Sequence, residues 1–286
     1  MKIIKSVREM AAFSRDVRRR NRTIGLVPTM GYLHEGHLSL MKAARRQTDV
    51  VVVSIFVNPL QFGPHEDFRQ YPRDFRRDRA MAQSVGVDVV FCPSQKDMYP
   101  DGYRTFVTVD KLTDGLCGAS RPGHFKGVTT VVAKFFGIVK PDKAYFGQKD
   151  AQQAIVIKRM TENLNMGIDI RVMPIIREKD GLAMSSRNVR LSAAERRDAP
   201  ILYQSLVKAR RMVKGGETDP SKVIRRICFL IEGKRSARID YVAVVDARDL
   251  SPLRSIDEAV LIAVAAYFGK TRLIDNIVIR EDKRHN

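Results

Sequence analysis

Tryptophan is missing from this chain, cysteine appears only three times in 286 residues, and acids are outnumbered, 32 Asp and Glu against 51 Lys and Arg. Each shortage excludes something. Cys92, Cys117 and Cys228 are far apart and form no C-x-x-C pair, which argues against a disulfide frame or a zinc cage. Free thiols in a reducing cytoplasm are expected. The longest apolar runs, "VVVVSIFV" and "AVLIAVAAYF", are too short to span a bilayer. The first twenty residues are broken by charges too often to hold the apolar core of a signal peptide. There is no low-complexity tract and no repeat of fixed period. The formal charge of +19 favours an anionic partner, whether nucleic acid, membrane surface or phosphorylated small molecule. Its basic residues, however, are scattered among acids, as in "RDFRRDR", and nowhere alternate with aromatics as in single-strand binders. Most of that charge reads as solvated surface, so neither nucleic acid nor membrane is expected as a partner.

What is present is an alternation of strands and helices. "TIGLV", ended by Pro28, reads as a buried strand, and "DVVVVSIFVN" as a central strand apolar on both faces. A helix opened by Pro72 and closed near Gly86, a strand "VDVVF" and a possible strand at 104–109 follow. Then come a helical stretch at 128–140, a strand "KAYFG", a helix from Ala151 to about Asn163, and a strand "IDIRVMPII". Such alternation predicts an α/β, doubly wound, Rossmann-like parallel sheet. Beyond residue 177 the texture changes. Ser192 and Glu195 form a capping box heading one long helix that closes near Gly215 and Gly216. Asp219 and Pro220 start another helix, and three apolar segments at hairpin spacing predict a small antiparallel sheet. The expectation is a nucleotide- and substrate-binding domain over 1–176 and a smaller α+β lid domain over 177–286. Segments 28–37, 58–62 and 147–153 all follow strands, where ligands bind in open α/β sheets.

The stretch "VPTMGYLHEGHLSL" sets His34 and His37 three residues apart, between Gly31 and Gly36, before an amphipathic run. A metal reading fails on spacing: this is not H-E-x-x-H, and no third ligand stands at a fixed distance. Two histidines among glycines in a strand-to-helix turn are also poor core material. Phosphate binding fits best, because a helix amino terminus offers unpaired N–H groups, the glycines allow close approach, and the imidazoles add donors.

H-x-G-H after a first strand resembles the signature of the nucleotidylyltransferase superfamily. Together with "SIFVNPLQF", "SRPGHFKGV", "YFGQKDAQQ", "KDGLAMSSRN" and "AAYFGKTRLIDN", in that order along essentially the whole chain, it resembles the pantothenate synthetase (pantoate–β-alanine ligase) family. Gln148 departs from the Glu expected in that block. The resemblance implies an AMP-forming ligase that condenses (R)-pantoate with β-alanine through a pantoyl adenylate, consuming ATP with Mg²⁺. It implies ATP binding by Met30, Gly31, Tyr32, Leu33, His34, Glu35, Gly36 and His37, with His37 as proton donor and His34 beside it on the phosphates. Gly147, Gln148, Lys149 and Asp150 form a second ATP segment, in which Lys149 reaches phosphate. Asp150 contacts Mg²⁺ or the nucleotide, or serves as a helix cap. Ile176 contacts the nucleotide through its backbone, and Met184, Ser185, Ser186 and Arg187 form a phosphate clamp or, taken alone, a plain turn. Gln61 and Gln153 hold pantoate, and Gln61 also faces β-alanine. Asn58, Tyr71 and Arg121 are weaker candidates. No resident metal site is implied, and a homodimer in the cytoplasm is. Two rivals stay open at this point: another nucleotidylyltransferase, which leaves the glutamines and "RLIDN" unexplained, and a basic nucleic-acid-binding protein, supported by charge alone.

Overall fold

In the computed structural model, which describes residues 1–64 and 66–280, the chain groups into two units: Met1–Gln148 with Gln153–Pro174, and Lys149–Gln152 with Ile175–Asn286. The first unit runs β1 (Lys2–Ile4), α1 (Val7–Arg19), β2 (Ile24–Thr29), α2 (Glu35–Gln47), β3 (Val50–Ile55), α3 (Phe75–Ser84), β4 (Val89–Phe91), α4 (Gln95–Met98), α5 (Cys117–Ser120), α6 (His124–Val139), β5 (Lys143–Gly147), α7 (Ala151–Asn163) and β6 (Asp169–Met173). Its strands lie in the order β1-β4-β3-β2-β5-β6, and every pairing is parallel. Alternate side chains serve opposite faces. Val27, Val53 and Val90 join Leu40, Met41 and Ala44 of α2, whereas Phe91 meets Phe135 of α6 edge-on. Burial on both faces is why β3 reads as an unbroken apolar run.

The second unit contains α8 (Ala193–Asp198), α9 (Ile201–Lys214), α10 (Pro220–Glu232), β7 (Ala237–Asp246), β8 (Val260–Phe268) and β9 (Thr271–Ile279). Its three strands form an antiparallel sheet in chain order. Gly269, at φ +56°, starts the two-residue turn between β8 and β9. Leu202 and Leu206 of α9 and Val223 and Ile227 of α10 cover Ile262 and Val264.

Several expectations change. The strand expected to end at Pro28 continues through it to Thr29; β5 pairs only with Gly25 and Leu26, so the missing Pro28 N–H costs no ladder bond on that side. Segment 104–109 is not a strand. Side chains of α6 satisfy its backbone instead, with Thr130 Oγ1 accepting from Val107 N and Thr129 Oγ1 donating to Val107 O. The helix expected from Pro72 begins at Phe75, capped by Asp74. The long helix after Ser192 is two helices; the capping box is present, but Pro200, which has no N–H to donate, separates α8 from α9. Strand β1 and helix α1 were not anticipated.

Candidate active site

Strands β3 and β2 are neighbours, so the turns leaving their carboxyl ends are neighbours too. After β2 the chain reverses through Gly31 (φ +85°) and Tyr32 (φ +50°). Both lie in the left-handed region that favours glycine, and Tyr32 needs outside support to stay there. Asp78 of α3 supplies it by accepting from Tyr32 N and Leu33 N, each at 2.7 Å. Burial pushes the Asp78 carboxyl above its ordinary pKa, against the two N–H bonds and Arg77. The N–H groups of Tyr32 and Leu33 are thus committed to Asp78, and Leu33 is wholly buried. Sequence reasoning missed Asp78, although its four-residue spacing to buried Ala82 placed it on the inner face of a helix.

His34 is the N-cap of α2, and its Nδ1 accepts from Gly36 N at 3.1 Å. His37 Nδ1 accepts from His34 N at 3.3 Å, and the two rings stack at 4.0 Å between centroids. A backbone N–H can only donate, so both Nδ1 atoms are acceptors and each neutral ring carries its proton on Nε2. The histidines therefore serve as the helix cap and as a pair of Nε2–H donors. Glu35 is exposed beside Lys42, and Gly36 is half-buried.

After β3, Asn58 caps the short turn Pro59–Gln61. The Gln61 amide is held at both ends: Asn58 Nδ2 donates to Oε1 at 3.3 Å, and Nε2 donates to Met30 Sδ at 3.0 Å. Tyr99 OH donates to Asn58 Oδ1 at 2.8 Å, and burial raises the pKa of that phenol. The Gln61 carbonyl accepts from His124 Nδ1 (2.8 Å) and from the Arg121 guanidinium (3.2 Å). Glu66 grips Arg121 through two hydrogen bonds. Burial works against that carboxylate, but Arg121, His124 and the Gly63 N–H bond outweigh it and hold its pKa below the ordinary value. Met30, Asn58, Gln61 and Arg121 are thus brought together. Tyr71 is buried, with its ring edge-on to Phe62. Tyr99, Glu66 and His124 were missed. Gln153 stands half-buried in the first turn of α7, and Gly147, which ends β5, and Gln148, which follows it, are half-buried.

In the second unit, Lys149 Nζ lies 3.7 Å from Asp150, and the Lys149 carbonyl accepts from Asn276 Nδ2 at 2.9 Å. Ile176 O accepts from Met184 N, so the hairpin leading into Met184, Ser185, Ser186 and Arg187 closes on Ile176. Ser185 Oγ accepts from Arg187 N, Ser186 is buried, and Asn188 Nδ2 donates to Glu178 and to the Ala183 carbonyl. Arg196 of α8 pairs with both Glu178 and Asp180. The 184–187 loop is thereby braced at both ends. Among the described residues no group of three or more His, Cys, Asp or Glu is placed to hold a metal, and no helix is long and apolar enough to cross a membrane.

Comparison with known proteins identifies the family. Residues 2–278 match the family profile described as pantoate-beta-alanine ligase. The pantothenate synthetase of Heliobacterium modesticaldum is 59% identical over 279 residues, covering 98% of this chain and 99% of that protein. That of Acetivibrio thermocellus is 56% identical over the same shares. The crystal structure of pantothenate synthetase from Thermus thermophilus superposes with a TM-score of 0.92 at 44% identity, covering 97% of this chain and 99% of that one. A pantoate–β-alanine ligase from Francisella tularensis, complexed with β-γ ATP and β-alanine, gives a TM-score of 0.79 at 34% identity over 97% of each chain. With a histidine-capped turn after the strand at the centre of a parallel sheet, and a match over nearly its full length, this chain belongs to the pantoate–β-alanine ligase family.

Proposed function

We propose that this ligase activates pantoate as an adenylate at the amino terminus of α2, and that the residues described above divide the work. The pantoate carboxylate attacks the α-phosphorus of ATP, forming the mixed anhydride and releasing pyrophosphate. The β-alanine amine then attacks the acyl carbon, forming the amide, losing a proton and expelling AMP. Charge builds on phosphate oxygens in the first transition state, so fixed donors matter more than a nucleophilic side chain. The observation that carries the reading is that both histidines spend Nδ1 on the helix's own N–H groups. Their Nε2–H groups then act together with the positive end of the helix dipole. His37 is the proton donor through Nε2, and His34 stabilises phosphate beside it. Tyr32 and Leu33 shape the turn, since their N–H groups are engaged by Asp78.

Gln61 and Gln153 are assigned to pantoate. A neutral amide can hold a carboxylate or hydroxyl without quenching the attacking oxygen, and Gln61 meets the incoming β-alanine as well. In the second unit, Lys149 and Arg187 are assigned to the polyphosphate, with Ser185 and Ser186 as further donors. Ile176 offers its N–H to the nucleotide, since its carbonyl is taken by Met184. Mg²⁺ is assigned as the counter-ion that enters with ATP, held by phosphate oxygens and water, with Asp150 as the chain's candidate ligand. A homodimer in the cytoplasm completes the reading, on the family resemblance.

The test is isotope exchange. Pyrophosphate should exchange into ATP when pantoate is present and β-alanine absent, because the adenylate forms before the amine enters. A strict requirement for β-alanine would sink the two-step order. CTP should not replace ATP, and efficient CMP release would favour another nucleotidylyltransferase.

A further inference from the structure

The "RLIDN" block of β9 has no task in the chemistry above, yet it holds two of the few buried polar residues of the second unit, Asp275 and Asn276. Successive strand residues point to opposite faces of a sheet. Asp275 shares the face of Leu273 and Ile277, which belong to the core built with α9 and α10. There it takes Arg177 in a bidentate pair, at 2.6 and 2.9 Å. The same guanidinium lies 3.8 Å over the Tyr203 ring of α9 and donates to Gly181 O. Arg177 adjoins Ile176, and its hairpin leads directly into Met184 and Ser185. On the other face, Asn276 Nδ2 donates to the Lys149 carbonyl. That bond goes to main chain, so it fixes the Cα from which the ammonium extends and does not occupy the ammonium itself. Asp275 Oδ1 also accepts from the Asn276 main-chain N–H at 2.8 Å, which ties the Asp275 carboxylate to the backbone that carries Asn276.

We propose that Asp275 and Asn276 are positioning residues for adenylate formation: Asn276 sets Lys149 in place, and Asp275, through Arg177, sets the 176–187 segment. A desolvated Arg–Asp pair is a poor way to gain stability, since apolar residues of similar volume usually do as well. Its use is in dictating where Arg177 goes. The inference rests on the reading of Lys149 as a phosphate-binding cation.

The experiment is a double-mutant cycle on the full-length protein, following single-turnover adenylate formation from ATP, Mg²⁺ and pantoate. Asn276→Ala is made in the parent and in a Lys149→Ala background. In the parent it should slow adenylation by about 10- to 100-fold, the cost of a group displaced by around an ångström. The loss should fall on kcat, with KM for pantoate within about twofold of the parent. In the Lys149→Ala background it should add less than about twofold, because the group it positions is gone. Equal slowing in both backgrounds, or none in the parent, overturns the proposal. If Asn276→Ala does not fold, Asn276→Leu keeps most of the volume without the donor and should show the same slowing and the same non-additivity. Adenylation by Lys149→Ala at the parental rate would instead remove the phosphate role of Lys149, and the proposal with it. The two failures are therefore distinguishable.

Discussion

Replacing Gly127 by alanine adds one methyl group where α6 touches the Pro59–Gln61 turn. Its Cβ would stand 2.5 Å from Gln61 N and closer still to the Leu60 carbonyl, although real Cβ atoms essentially never come within 3.0 Å of a neighbour. Both neighbours are main chain, so no side chain can swing aside; the turn must retreat by about 0.5–1 Å, and such a shift can cost up to about 10²-fold in rate. Asn58 Nδ2 donates to Gly127 O at 3.0 Å and also holds the Gln61 amide, so the displacement is passed to the amide proposed to hold pantoate. We expect Gly127→Ala to lose about 10- to 100-fold in kcat/KM for pantoate, with ATP affinity by calorimetry within about threefold of the parent. Overpacking should also cost about 1–3 kcal/mol of stability. Gly137→Ala is the control on the same helix, because a Cβ there meets nothing within 4 Å. It should stabilise the protein by up to about 1 kcal/mol and leave the kinetics alone. Parental kcat/KM for pantoate in Gly127→Ala would refute the claim that this contact sets the position of Gln61.

Three further outcomes are expected. Gln153→Ala should weaken pantoate use by about 1–3 kcal/mol and ATP binding far less, and equal losses in separate titrations would remove Gln153 from the pantoate pocket. His37→Asn should cost on the order of 10²–10³ in single-turnover adenylation, the usual loss for one preorganised donor. Its thermal midpoint should stay within a few degrees, since the Asn carbonyl can still cap His34 N; a normal rate with a large drop in midpoint would mean that His37 serves the helix alone. Glu66, whose pKa is depressed below 4.5, contributes stability that is fully present above that value and is lost as pH falls through its folded pKa. The stability difference between the parent and Glu66→Gln should therefore be flat at neutral pH and shrink on acidification in denaturant titrations. A difference that grew on acidification would contradict the depressed pKa.

Sequence reading succeeded where the signal was local. The apolar run of β3, the helical spacing of α6 and the caps at Ser192 and Asp219 need only their neighbours, and all appear in the structure. The histidine turn was legible as a helix start, but not the capping by the imidazoles, because histidine is an unusual cap. What failed depended on partners distant in sequence. Strand β1 is three residues long and pairs with β4 across most of a hundred residues. Segment 104–109 looked like a strand until Thr129 and Thr130 took its backbone bonds. Asp78 and Tyr99 lie in unremarkable stretches, and Asp275 in a block whose task the sequence does not show; the importance of all three comes from what the fold sets against them.

The bond from Asn276 to Lys149 spans 127 residues of chain. At a synthesis rate of roughly 5–20 residues per second, Asn276 is made about 6–25 s after the lysine it anchors. The parallel sheet needs no residue beyond Met173 for its strand pairings. During synthesis the histidine turn and the Gln61 clamp can therefore mature first, while Lys149 waits for the last strand. A chain cut short before Thr271 has every strand of that sheet and lacks the anchor, so the parallel sheet can be complete while Lys149 is still unfixed.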